Sequence, residues 1–111
     1  MRITLCGSAR FEKEFHEWNK KLTLAGHVVY SLAVFPSQED EKNWYTPEQK
    51  RMLDRVHFKK IENSDAILVL DVAGYIGEST AREVSHAKAC IKRIYYLTNP
   101  TDLERLEQST P

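Results

Sequence analysis

What this chain has little of narrows it first. It has no excess charge of either sign: Lys plus Arg number 16, Asp plus Glu number 16, and the formal net charge is +0. General attraction to nucleic acid or to an anionic membrane surface is thereby excluded as its organising force. No apolar run approaches the length of a membrane span, and Met1-Arg2 leads straight into Ile3-Thr4-Leu5-Cys6 without a signal-like segment, so a cytoplasmic protein is expected. Of cysteines there are 2, Cys6 and Cys90, far apart and without Cys or His neighbours at metal-ligand spacing. That excludes a disulfide framework and a zinc motif readable from spacing, and both are expected to be reduced, packed thiols. No G-x-G-x-x-G follows the first strand and no Walker A lysine motif occurs, so the fingerprints of a dinucleotide or P-loop site are missing. No cofactor or metal is expected. Repeats, low-complexity tracts and linkers are also absent, and 111 residues suit one domain spanning 1–111.

What is present is an alternation of strand and helix patterns. Ile3 to Cys6 reads as a strand, broken by Gly7-Ser8 before an amphipathic helix whose apolar face is Phe11, Phe15, Trp18 and Leu22. Gly26 stops that helix. His27 to Leu32, with Val28-Val29-Tyr30 at its centre, reads as a second strand. From Phe35 to Tyr45 no period holds, which predicts a long loop of the kind that serves as a lid. Thr46-Pro47-Glu48-Gln49 supplies an N-cap, a proline at the first helical position and a Gln placed for a capping box. The helix it opens has the stripe Met52, Leu53, Val56 and Ile61 and runs to Asn63-Ser64. Ala66 to Leu70 is a continuous apolar run suited to a strand covered on both faces. A third helix from about Thr80 to Cys90, a strand at Ile94 to Leu97 and a short helix opened by Thr101-Asp102-Leu103-Glu104 complete the chain, with a fraying tail from Gln108 to Pro111.

Strands separated by helices imply right-handed βαβ units. The expected fold is α/β: a flavodoxin- or Rossmann-like parallel sheet of about four strands in the order 2-1-3-4, with helices on both faces. That order sets the first and third strands side by side, and ligands of such sheets bind in the crevice at their carboxyl ends. Gly7 to Arg10 and the stretch Asp71 to Glu83 would open onto it. In the latter, Gly74 and Gly77 permit torsions and approaches that a Cβ would forbid, and the free N–H groups of a helix start suit an anion.

Several side chains could carry chemistry there, each with an ordinary alternative. Glu83 could attack an electron-poor carbon, or close a capping box with Thr80. Gly7, Ser8, Ser79 and Thr80 could hold phosphate or sugar hydroxyls, or be turn and cap residues only. Arg10 could meet an anion or solvent. Tyr75, Trp44 and Tyr45 could stack on a base or on the protein itself. His57, four residues from both Leu53 and Ile61, falls on the buried stripe of its helix and reads first as a core histidine, with Asp54 or Asp71 as polar partner.

Taken together, Cys6-Gly7-Ser8, Ser64-Asp65-Ala66-Ile67-Leu68-Val69-Leu70, Gly74-Tyr75-Ile76-Gly77-Glu78-Ser79-Thr80 and Glu83-Val84-Ser85-His86-Ala87 resemble the nucleoside 2-deoxyribosyltransferase-like superfamily across nearly the whole chain. The resemblance implies a small-molecule nucleoside or 5′-nucleotide as partner. It also implies a glutamate matching Glu83 that attacks the anomeric carbon, and a deoxyribosyl-enzyme resolved by another base or by water. Some relatives carry an acid near the position of His57, and transferases carry an aspartate where this chain has Gly77 and Glu78, so Asp71, Glu78 and His57 stand as alternative proton donors. A non-catalytic nucleotide-binding module is the other class of function this pattern allows. The Gly-Gly-x-Gly-Thr turn of phosphoribohydrolases is missing. A homodimer or higher homo-oligomer is expected, because so small a sheet leaves aromatic side chains such as Trp18, Trp44 and Tyr96 poorly covered.

Overall fold

The structure, a computed structural model, describes residues 1–35 and 45–108. Four strands, β1 (Arg2–Cys6), β2 (Val28–Tyr30), β3 (Ala66–Val69) and β4 (Arg93–Tyr96), form one parallel sheet in the order β2-β1-β3-β4. The 2-1-3-4 order expected from alternation is the order found. Helices α1 (Glu12–Leu24), α2 (Pro47–Glu62), α3 (Glu78–Ala89) and α4 (Pro100–Gln108) connect and flank the strands.

Side-chain alternation along β1 and β3 divides the core in two. Ile3, Leu5, Ala66, Leu68 and Leu70 pack with Phe15 and Leu22 of α1 and Leu106 of α4 on one face. Cys6, Ile67 and Val69 pack with Ile61 of α2 and with Val84 and Ala87 of α3 on the other. All four residues of β3 are buried, as its unbroken apolar run requires of a central parallel strand. Leu70 N–H donates to the Cys6 carbonyl at 2.7 Å, which extends the β1–β3 ladder to the end where both strands give way to turns. There Gly7 is held so close that a Cβ would meet Leu70 Cβ at 3.2 Å and the Leu70 carbonyl oxygen at 3.3 Å.

Helix boundaries differ from the sequence pattern where side-chain caps compete. Thr46 and Gln49 do form the capping box of α2, with both reciprocal bonds present. Helix α3, by contrast, starts at Glu78 with Gly77 as an extended N-cap and no side-chain cap bond. The Thr80/Glu83 spacing therefore lies inside the helix and caps nothing. Helix α4 starts at Pro100, because Asn99 Oδ1 accepts from the N–H groups of Thr101 and Asp102 and so displaces the cap expected at Thr101. The buried stripe of α2 is also rotated: His57 and Ile61 are buried, whereas Met52 and Val56 are 53% and 43% exposed.

Two helices end in Schellman turns. After α1, Gly26 takes φ +98°, with Gly26 N–H bonded to Thr23 O and His27 N–H to Leu22 O. After α3 the same pair of bonds, Ile91 to Lys88 and Lys92 to Ala87, is made with Ile91 at φ +57°. Glycine is the usual residue at that position.

Candidate functional site

A cleft of about 430 Å³ opens at the carboxyl ends of β1 and β3, on the face covered by α2 and α3. Its lining sorts by chemistry. Gly7, Ser8, Gly77, Ser79 and Thr80 give a floor of backbone and hydroxyl groups; Leu32, Val34, Leu53 and Val56 give an apolar wall; Tyr45 and Tyr75 add aromatic rings. Lys50, Lys60, Asp54, Glu78, His57 and Glu83 supply the charged and titratable groups.

Each floor residue is where local structure demands it. Ser8 caps a 3-10 turn (Ala9–Phe11), its hydroxyl accepting from Arg10 N–H. Gly77 caps α3 through its backbone alone, and a Cβ there would stand 3.2 Å from the Tyr75 hydroxyl. The approach to Gly77 is a second 3-10 turn (Val72–Gly74) in which Ala73 and Gly74 both have positive φ, +53° and +80°. Helix α3 begins without a side-chain cap and its first residues, Gly77 to Thr80, line the cleft, an arrangement that favours an anionic or hydroxyl-rich ligand.

At the base of the cleft three elements converge. Cys6 ends β1, His57 projects from α2 and Glu83 from the second turn of α3. Cys6 Sγ is 3.5 Å from His57 Nε2, and His57 Nε2 is 3.4 Å from Glu83 Oε1. Thiol, imidazole and carboxylate all lie within 4.8 Å of one another. Burial is the first reason that the Cys6 thiol is held well above its ordinary pKa, and the neighbouring Glu83 carboxylate adds to it through its charge and a hydrogen bond. His57 Nδ1 and Glu83 Oε1 are buried without a hydrogen-bond partner. Lys60 Nζ, which donates to the Ser31 carbonyl at 2.7 Å, has its pKa lowered by burial.

Of the candidate residues, Gly7, Ser8, His57, Tyr75, Gly77, Glu78, Ser79, Thr80 and Glu83 line this one cleft. Asp71 and Arg10 do not. The Asp71 carboxylate accepts from Thr98 N–H at 3.1 Å and from Thr98 Oγ1 at 2.6 Å, so it ties the end of β3 to the residues after β4. Arg10 stacks on Tyr75, its guanidinium carbon 4.4 Å from the ring centroid, and donates to the Tyr75 hydroxyl at 3.3 Å. It acts on the cleft through that ring. The loop expected to act as a lid, Trp44 included, lies outside the described residues apart from its ends at Phe35 and Tyr45. Sequence reasoning took Cys6 for a packed thiol only; its place as the last residue of β1, just before Gly7-Ser8, was the available signal that it lies beneath the cleft. Among the described residues no helix is long and apolar enough to cross a membrane.

Comparison with known proteins shows a likeness of fold. No protein-family profile matches the sequence and no curated protein matches it. Among solved structures, a 2-deoxyribosyltransferase from the psychrotolerant bacterium Bacillus psychrosaccharolyticus superposes with a TM-score of 0.63 at 16% identity, covering 86% of this chain and 71% of that one. At this identity the likeness is one of fold.

Proposed function

We propose that this chain is an enzyme that cleaves or transfers the N-glycosidic bond of a (deoxy)nucleoside or its 5′-monophosphate, with Glu83 as nucleophile. The observation that carries the reading is the state of the Glu83 carboxylate. It is fixed on a helix, nearly buried at the base of a nucleoside-sized cleft, free of any capping duty, and its Oε1 has no hydrogen-bond partner. A carboxylate that lines the cleft can present an oxygen to an electrophilic carbon held there. The fold shared with a 2-deoxyribosyltransferase supports the same chemistry.

In this mechanism a Glu83 oxygen bonds to C1′ as the C1′–N bond breaks, and the electron pair departs on the base nitrogen, which takes a proton. Water or a second base then attacks C1′ and releases the carboxylate. The apolar wall of Leu32, Val34, Leu53 and Val56 would receive the base, with Tyr45 or Tyr75 against its face. The hydroxyls and N–H groups of Ser8, Gly77, Ser79 and Thr80 would receive sugar and 5′-phosphate. Glu78 and His57 line the cleft and are the proton donors favoured by position, whereas the two bonds from Thr98 occupy Asp71. We place this activity in the cytoplasm. A homodimer that covers the apolar rim of the cleft, where Val34, Met52, Val56, Tyr75 and Ile76 are each more than 40% exposed, belongs to the same reading.

The test is a panel of deoxynucleosides and deoxynucleoside monophosphates followed for free base by chromatography. Release that is lost in Glu83→Gln is expected. Absence of release across the panel, with a nucleotide still raising the melting temperature, would replace the enzyme by a nucleotide-binding module.

A further inference from the structure

We propose that Cys6, His57 and Glu83 form a three-ligand site for a zinc-class divalent ion, whose fourth coordination position faces the cleft and whose occupancy silences Glu83. The binding stands on geometry alone; the silencing rests on the reading of Glu83 as nucleophile.

Two of the three ligand-to-ligand separations match those of a four-coordinate zinc ion. Zinc lies about 2.3 Å from thiolate sulfur, about 2.0–2.1 Å from imidazole nitrogen and about 2.0–2.2 Å from carboxylate oxygen. A tetrahedral angle then sets sulfur and nitrogen about 3.6 Å apart, and nitrogen and oxygen about 3.4 Å apart. The corresponding separations here are 3.5 Å for Cys6 Sγ to His57 Nε2 and 3.4 Å for His57 Nε2 to Glu83 Oε1. The third edge, Cys6 to Glu83, is within 4.8 Å and has to shorten to about 3.6 Å when the ion binds.

A second observation points the same way. Glu83 Oε1 is buried and makes no hydrogen bond although it lies 3.4 Å from His57 Nε2, so hydrogen bonding within the protein leaves an acceptor that a cation would satisfy. Thiolate, imidazole and carboxylate are a ligand set suited to zinc, and three protein ligands with one open position are the pattern of a site that exchanges water or substrate. Fifty-one positions separate Cys6 from His57, so only the fold reveals the set.

Charge and protons balance. The Cys6 thiol loses its proton to solvent as sulfur bonds the ion, His57 binds through Nε2 with its proton on Nδ1, and Glu83 binds as the anion. One proton leaves per ion, and two anionic ligands neutralise the divalent charge. His57 Nδ1 has no partner to orient it, and metal-bound histidines without such an anchor hold their ions less tightly. The site is therefore an exchangeable one, suited to control by ambient metal. Once bound, the ion holds the lone pair that Glu83 needs for attack at C1′.

Cobalt(II) is the probe. Added to the reduced protein, it is expected to give a thiolate-to-cobalt band in the near ultraviolet and the intense visible bands of a four-coordinate ion, saturating at one ion per chain. The near-ultraviolet band should vanish in Cys6→Ser and persist in Cys90→Ser, a control made necessary because Cys90 Sγ lies 3.8 Å from His86 Nε2. Glu83→Gln, which preserves side-chain shape, should weaken cobalt binding at least tenfold and carries the test if Cys6→Ser loses its circular dichroism. A weak, six-coordinate spectrum, or a thiolate band that survives Cys6→Ser, overturns the site. In the activity arm, zinc should stop base release and a chelator restore it. Release that continues at full zinc occupancy overturns the silencing. Absence of release without metal removes the enzyme reading and leaves the cobalt spectra to decide the site.

Discussion

His57 Nε2 stands 3.4 Å from Glu83 Oε1, with side chains only 6% and 12% exposed, and neither His57 Nδ1 nor Glu83 Oε1 has a hydrogen-bond partner. A buried carboxylate so poorly compensated is costly to the fold and useful to chemistry.

Glu83→Gln tests that trade directly. Stability should change by no more than about 1 kcal/mol, or rise, since a buried charge is removed and no cap is lost. Base release should fall by orders of magnitude, because an amide cannot form the glycosyl ester. Thermal melting beside chromatography measures both, and an unchanged release rate in the folded variant rules out the nucleophile.

Asp71 is expected to separate from the chemistry. Asp71→Ala removes two hydrogen bonds to a charged acceptor and should cost about 2–3 kcal/mol in denaturant unfolding. Asp71→Asn keeps an acceptor oxygen for Thr98 and should keep base release within a few-fold of the unmodified rate. A collapse of release in a stable Asp71→Asn protein would return Asp71 to the list of proton donors.

Ile91 offers a gain in stability. It is 92% exposed, packs on little, and holds φ +57°, a conformation costing a β-branched residue about 1–2 kcal/mol. Ile91→Gly should therefore raise stability by roughly 1 kcal/mol, and the melting temperature by about 4 °C or more. A lower melting temperature would mean that the side chain has a partner in solution.

His27 should make stability depend on pH. Burial, and then the Met1 ammonium beside it, lower its pKa below the ordinary value of 6.5. The unfolded chain thus binds the proton more readily than the folded one. Stability from this group is complete above pH 6.5 and declines as pH falls from there to the lowered value. Unfolding curves of His27→Gln and the unmodified protein should converge on acidification; parallel curves would contradict the assignment.

For the oligomer, light scattering at micromolar concentration should give twice the chain mass, and Val56→Glu on the exposed rim should halve it. A monomeric mass for the unmodified protein would end the proposal.

The sheet was legible because the β3 pattern is strong locally: Ala66 to Leu70 is apolar throughout and short, which suits a central parallel strand covered on both faces. The α2 cap was legible for a similar reason, since Thr46, Pro47 and Gln49 satisfy each other locally. Errors arose where two local solutions compete. Thr80 and Glu83 have the spacing of a capping box, yet the extended backbone of Gly77 starts the helix earlier. Asn99 likewise caps α4 two residues before Thr101. Asp71 ends the run that leads to the cleft, but its partner, Thr98, is 27 residues away in sequence. The meeting of Cys6, His57 and Glu83 depends on the packing of three elements, and no spacing encodes it.

The contact of Gly7 with Leu70 sets a mechanical limit. With the Cys6 carbonyl bonded to Leu70 N–H at 2.7 Å and Gly7 packed so closely on Leu70 that a Cβ would crowd it, the starts of the turns that follow β1 and β3 are held together. They form a gauge of fixed width, so a ligand's size is judged on that side by whether it fits, and any yielding must come from the opposite wall, where Leu32 and Val34 follow the short strand β2.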